Sequence, residues 1–198
     1  MAEVFEFRGV DNLVYAEVTS DTLEEILFGT VKPLSAVAEI GKTTETSSEA
    51  KYYDNKPMLV INSEGADEIS MTVAPLDIET LADISGKTYD ADTGMLIDGE
   101  RQNKYFAIGY RTKGTDGGYR YVWRMKGTFG IPDETVATEN DGTDSNNQTL
   151  TFTGISTTHK FDKGGSCKGI VVDARKDLVD VTTFFDTVQT PDTVVAKA

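Results

Sequence analysis

Period-two alternation recurs through most of this chain, and a chain so patterned folds as strands whose successive side chains point to opposite faces. The pattern is plainest after Pro33, where Leu34, Ala36, Ala38 and Ile40 alternate with Ser35, Val37, Glu39 and Gly41. It passes into Thr43, Thr44, Glu45, Thr46, Ser47 and Ser48, polar but rich in β-branched threonine. After Tyr52-Tyr53-Asp54-Asn55-Lys56-Pro57 an apolar run returns as Met58-Leu59-Val60-Ile61. Two strands with a long polar connection over residues 41–57 make a hairpin that projects from its domain. A connection of that length is either functional or disordered.

The remaining segments read in the same way. Residues 12–19 suit a strand, and Ser20-Asp21-Thr22 supplies cap residues before 23–29, a stretch open to a helical turn or a continued strand. Residues 68–75 place Ile69, Met71 and Val73 on one face and Glu68, Ser70 and Thr72 on the other. Asp77 then caps a helix over 78–84 that ends at Gly86, with Ile78, Leu81 and Ala82 as its apolar stripe. Residues 105–112 and 119–130 form a second hairpin around the glycine- and aspartate-containing turn 113–118. On its second strand Tyr121, Trp123, Met125 and Phe129 share one face and Arg120, Arg124 and Lys126 the other. An acidic loop is expected over 133–148, a strand over 149–153 with a bulge at Gly154, and a last strand over 170–172. Beyond Leu178, Phe184, Phe185 and Val188 either dock on a neighbouring molecule or fold back on their own sheet. The expected fold is one mainly β domain, a sandwich or barrel-like sheet over 1–198 with one flanking helix.

Composition narrows the function. Against 33 acidic residues stand 19 basic ones, a net charge of −14. Nucleic-acid affinity comes largely from Lys and Arg contacts to phosphate, so a nucleic-acid reader is not expected. Cys167 is the only cysteine and His159 the only histidine, which leaves no thiolate cluster and no second imidazole for a zinc site. His159 lies in an alternating stretch, 157–161, and reads as a surface strand residue with no nucleophile motif to serve. Asp90-Ala91-Asp92-Thr93-Gly94 departs from a calcium loop by placing glycine fifth, and Asp141-Gly142-Thr143-Asp144 is no closer; both read as turns. No secretory leader and no run of eighteen apolar residues is visible, so the expectation is a cytosolic product with no membrane span. No enzyme activity, cofactor or metal is expected.

The order of these parts is distinctive: a long hairpin over 33–61, a strand running into a capped helix, Tyr-Phe-Ala-Ile-Gly-Tyr-Arg at 105–111, Tyr-Arg-Tyr-Val-Trp-Arg-Met-Lys-Gly-Thr-Phe at 119–129, an acidic loop, and Thr-Leu-Thr-Phe-Thr at 149–153. Over nearly its whole length the chain resembles the major tail tube proteins of long, flexible-tailed bacteriophages. That resemblance implies homo-hexameric rings that share one inner β-barrel and stack into a tube through which DNA is ejected. It implies assembly in the host cytoplasm, a place in the virion tail, and contact with tape-measure, tail-terminator and distal tail proteins. DNA would pass the lumen without specific binding. By position, 41–57 corresponds to the stacking loop, with Thr44, Ser47, Glu49, Lys51 and Tyr53 as contacts, and 1–10 and 178–198 to terminal arms. Glu39, Thr43 and Glu45 face either the lumen or bulk solvent. Arg120, Arg124, Lys126, Phe184 and Phe185 are the expected inter-subunit contacts.

Three other classes fit parts of the pattern. The tube of a contractile injection machine shares the implied fold. A carbohydrate-binding β-sandwich would use Tyr110, Tyr119, Tyr121 and Trp123 as a stacking platform. A glycoside hydrolase needs only a carboxylate pair, although no local motif singles one out.

Overall fold

The computed structural model describes residues 4–133 and 147–197. The expected acidic loop falls largely outside them, and the Asp141–Asp144 turn wholly so. The elements run β1 (Phe7–Asp21), β2 (Ile26–Phe28), β3 (Lys32–Pro33), β4 (Val37–Tyr53), β5 (Lys56–Val73), α1 (Ile78–Ser85), β6 (Thr88–Asp90), β7 (Met95–Ile97), β8 (Phe106–Gly114), β9 (Tyr119–Phe129), β10 (Gln148–Gly154) and β11 (Gly169–Asp173). Strand is the dominant structure and α1 is the one α-helix among the described residues.

The main sheet is antiparallel in the order β2-β1-β8-β9-β10-β5-β4, with β3 also on β1 and β11 also on β9. Strand β9 branches it: residues 120–124 pair with β11 and residues 127–129 with β10. The far ends of the sheet are then tied together through the segment between β3 and β4. Leu34 N–H donates to the Leu13 carbonyl of β1, Ala74 N–H donates to Ala36 O, and the Ser35 hydroxyl donates to Ala74 O at 2.9 Å. The result is barrel-like. Inside it lie Tyr15, Ile69, Met71, Val73, Phe106, Ile108, Phe129, Leu150 and Phe152. Phe129 packs edge-on against Phe106 and Phe152, with centroids 5.5 and 5.1 Å away, the offset that ring quadrupoles favour.

A second core covers the outer face of β8 and β9. Tyr121, Trp123 and Met125 meet Phe184 and Val188 from the C-terminal segment. The buried Trp123 indole N–H needs an acceptor, and the Phe184 carbonyl supplies one at 3.1 Å. The C-terminal segment therefore folds back on its own sheet; it is not a free arm.

Local chemistry explains where expectation and structure part. The helix is capped as anticipated: the Asp77 carboxylate accepts from Thr80 N–H at 2.9 Å, and Gly86 ends it at φ 67°. Its buried residues are Ala82, Ile84 and Ser85, however, and Ile78 is exposed. Residues 23–29 resolve as a tight turn into β2 and not as a helix. A register shift between Val37 and Glu39 breaks the alternation in β4, so Val37 packs on the core while Ala38 is exposed. Another shift sets Phe106 opposite Gly127 but Ile108 opposite Arg124, spending three residues of β9 against two of β8. A one-residue slip swaps faces. Phe129 therefore joins the inner core, away from Tyr121, Trp123 and Met125. Gly154 carries no bulge and keeps register with both Asp67 and Gly127. His159 lies in a loop beyond β10, not on a strand, with Nδ1 3.3 Å from the Leu23 carbonyl.

Gly127 is required by this geometry, since a Cβ there would fall 2.4 Å from the Phe152 ring and from the Thr153 carbonyl. The backbone oxygen cannot yield without breaking the β9–β10 pairing. Gly127→Ala is expected to destabilise the fold by about 1–3 kcal/mol or more, read as a lower urea midpoint at unchanged slope.

Candidate assembly surface

Strands β4 and β5 continue far past the domain. Asp67 is the last residue of β5 paired with β10, opposite Gly154; beyond it β5 pairs with β4 alone. The residues expected to form a long loop, 41–57, are thus strand almost throughout, and 58–61 and 68–73 belong to a single strand. Only Asp54 and Asn55 make the turn, with φ of 50° and 60°. Two left-handed residues match the turn to the right-handed twist of the strands, and Asp and Asn tolerate that conformation. The span from Thr46 to Tyr53 projects about 23 Å, at about 3.3 Å per residue.

This ribbon exposes both faces and both edges. Tyr52, Tyr53, Met58, Leu59, Val60 and Ile61 are each between 49% and 68% accessible. Leu59 and Ile61 lie opposite Lys51 and Glu49 on one face, and Val60 opposite Ala50 on the other. A two-stranded hairpin is marginally stable by itself in water, and large apolar side chains exposed together on one ribbon make it a candidate contact surface. Of the expected stacking contacts, Glu49 and Lys51 pair with each other at 2.5 Å and Ser47 shares a hydrogen bond with Ser63 at 2.9 Å. Tyr53 stands at the tip, and Thr44 belongs to the root, donating to Asp67 at 2.8 Å.

The outward face of the sheet beside the ribbon has a different character. Reading across β4, β5 and β10, its rows are Glu39–Thr72–Thr149, Gly41–Ser70–Thr151 and Thr43–Glu68–Thr153. Hydroxyls and carboxylates fill it, with no Lys, Arg or large apolar side chain. Glu39 and Thr43 stand in these rows; Glu45 lies farther out, its side chain against Gly65.

The expected inter-subunit residues are engaged inside the chain. Lys126 pairs with the buried Asp21 at 2.6 Å, and Arg124 faces Asp67 at 3.6 Å. Arg120 lies 3.5 Å from Asp173 with its guanidinium over the Phe5 and Phe7 rings. Phe184 is buried against Tyr121, and Phe185 packs on Tyr121 and Trp123. A basic row in an acidic chain finds its nearest carboxylates within the same fold. The aromatic platform fails for a similar reason: Tyr110, Tyr121 and Trp123 are buried, and Tyr119 lies under the Arg111 guanidinium at 4.4 Å.

Among the described residues no three His, Cys, Asp or Glu side chains are grouped to hold a metal ion. Both Asp90 oxygens serve their own turn, accepting from Asp92 N–H at 3.0 Å and the Thr93 hydroxyl at 2.6 Å. Burial pushes the half-buried Cys167 thiol upward, away from reactive thiolate. Among the described residues no helix is long and apolar enough to cross a membrane. No protein-family model matches the chain, and no curated protein matches it significantly in sequence.

Asp67 lies at the root of the ribbon and Asp21 beside Lys126, and no sequence motif marked either as an ion-pair centre. Burial opposes ionisation of both, but hydrogen bonds outweigh it: Thr44 and Lys42 on Asp67, Lys126 and the Thr158 and His159 amides on Asp21. Both carboxyls are held below their ordinary value, and Asp173 is brought to about 2 by its hydrogen bonds from Arg175. With folded values below unfolded ones, their stabilisation is complete above the unfolded value of about 4 and is lost as pH falls through the folded values. Urea unfolding is expected to show a plateau near neutrality and a decline below about pH 4. Asp67→Asn should cost about 3–5 kcal/mol at neutral pH, because it leaves clustered cations without their buried counter-charge, and should shallow the acid decline.

Proposed function

We propose that this chain is a structural subunit that assembles with copies of itself into a tube of the kind found in the tails of long-tailed bacteriophages. The observation that carries the proposal is the β4–β5 ribbon. It exposes six large apolar side chains on two faces and leaves two strand edges unpaired, a surface that becomes stable when another molecule covers it. A stacked assembly provides that cover in every repeat.

The hydroxyl and glutamate rows over β4, β5 and β10 suit the inner wall of such a tube. DNA is held by Lys and Arg through many phosphate contacts, and a wall without them lets it pass. Six subunits per ring, stacking through the ribbon, contact with tape-measure, terminator and distal tail proteins, assembly in the host cytoplasm and DNA ejection are what the resemblance contributes. The buried C-terminal segment takes no part as an exchangeable arm in this proposal.

Negative-stain microscopy of concentrated protein tests it, with rings or tubes as the expected result. The double variant Leu59→Lys, Ile61→Lys should keep the wild-type circular dichroism spectrum and thermal midpoint, since the ribbon tip adds nothing to either core, yet remain dispersed. Normal assembly by that variant would remove the ribbon from the contact. A wild-type chain that stays monomeric at every concentration would sink the tube itself.

A further inference from the structure

Where the ribbon leaves the domain, a polar cavity of about 360 Å³ opens between Lys42, Glu64, Asp67, Arg124, Ser166 and Lys168. We infer that this cavity is an oxyanion site. Three cations converge on one buried carboxylate: Lys42 Nζ at 3.2 Å, Lys168 Nζ at 3.3 Å and Arg124 Nη1 at 3.6 Å from Asp67. Glu64 answers Lys168 at 2.7 Å, but from the solvated rim, where its charge is screened. One buried carboxylate therefore faces three cations, of which Arg124 and Lys168 have side chains 14% and 16% exposed while Lys42 reaches solvent.

The second observation is an orphaned donor. Arg124 Nε is the one buried side-chain polar atom among the described residues without a hydrogen-bond partner. A buried N–H left unpaired is costly, and a guanidinium presents its donors as a planar fork suited to carboxylate or phosphate oxygens. The volume is ample for such a group, given about 30 Å³ of liquid per water molecule. A single charge-assisted acceptor among these cations would offset the excess of positive charge.

Two sources carry this chemistry, free phosphate and an acidic side chain of a second copy. A chain with 33 acidic residues has many candidates for the latter. The site goes beyond the assembly proposal, and binding of free phosphate does not depend on that proposal.

Thermal unfolding of the full chain in inorganic phosphate, against sodium chloride of matched ionic strength, is the test. Phosphate is expected to raise the wild-type midpoint as a saturating function of its concentration, because a ligand bound only by the folded state stabilises it. Lys168→Gln, at the cavity rim, should weaken the apparent affinity by about tenfold or more, and Arg124→Lys should do the same by removing the fork. A carboxylate from a second copy would show instead as a midpoint that rises with protein concentration in phosphate-free buffer and loses that dependence in Lys168→Gln. Equal midpoints in phosphate and chloride with no concentration dependence, or a phosphate response undiminished in both folded variants, would overturn the site and leave a water-filled cavity.

Discussion

Strand β9 is hydrogen-bonded along both edges and buried on both faces, and the rest of the domain is arranged around that constraint. Its inner residues, Val122 and Phe129, belong to the barrel interior, while Tyr121, Trp123 and Met125 belong to the outer core. Alternation serves both cores as far as Met125, and the register shift near Gly127 then turns Phe129 to the inner one. The same strand divides its far edge between β10 and β11, which allows the sheet to curl on one side and the C-terminal segment to close over the other. An outer aromatic face would be an aggregation surface if Phe184 and Val188 did not cover it.

The β4–β5 ribbon obeys the opposite logic. As far as Asp67, β5 has hydrogen-bonded neighbours on both sides and a buried face; beyond it, neither. A stable domain and an unsupported extension are thus built from the same two strands. The ion cluster at Asp67 marks the transition, tying the root of the ribbon to β9 through Arg124 and to the segment before β11 through Lys168. Such a cluster restrains the direction in which the ribbon leaves, because its ion pairs join the root to two other segments. A restrained direction matters for a subunit proposed to meet identical neighbours in every repeat.

Much of the architecture could be read from residue order because it rests on local chemistry. The 119–130 strand, the Asp77 and Gly86 caps and the 113–118 turn each announce themselves by residue type within a few positions. The ribbon was harder. Threonine and serine in 43–48 have strand propensity but no buried face, so polarity suggested a loop where cross-strand pairing makes a strand. Its apolar half, 58–61, was visible; that it stays exposed was not, since hydrophobicity alone does not say which residues find a partner.

By itself the sequence determined the period-two pattern, the helix capped by Asp77, the lack of a histidine or cysteine set and the acidic balance, all properties of residue type and near neighbours. Tertiary structure alone decided which of two faces each strand buries, because a one-residue register shift at Val37 or Gly127 is set by the partner strand. It also decided that Arg120, Arg124 and Lys126 face carboxylates within the chain, and that Phe184 closes its own core. Asp67 shows the reason most directly. Its partners Lys42, Arg124 and Lys168 come from three distant segments, and only the closed sheet brings their charges close enough for Coulomb attraction to act.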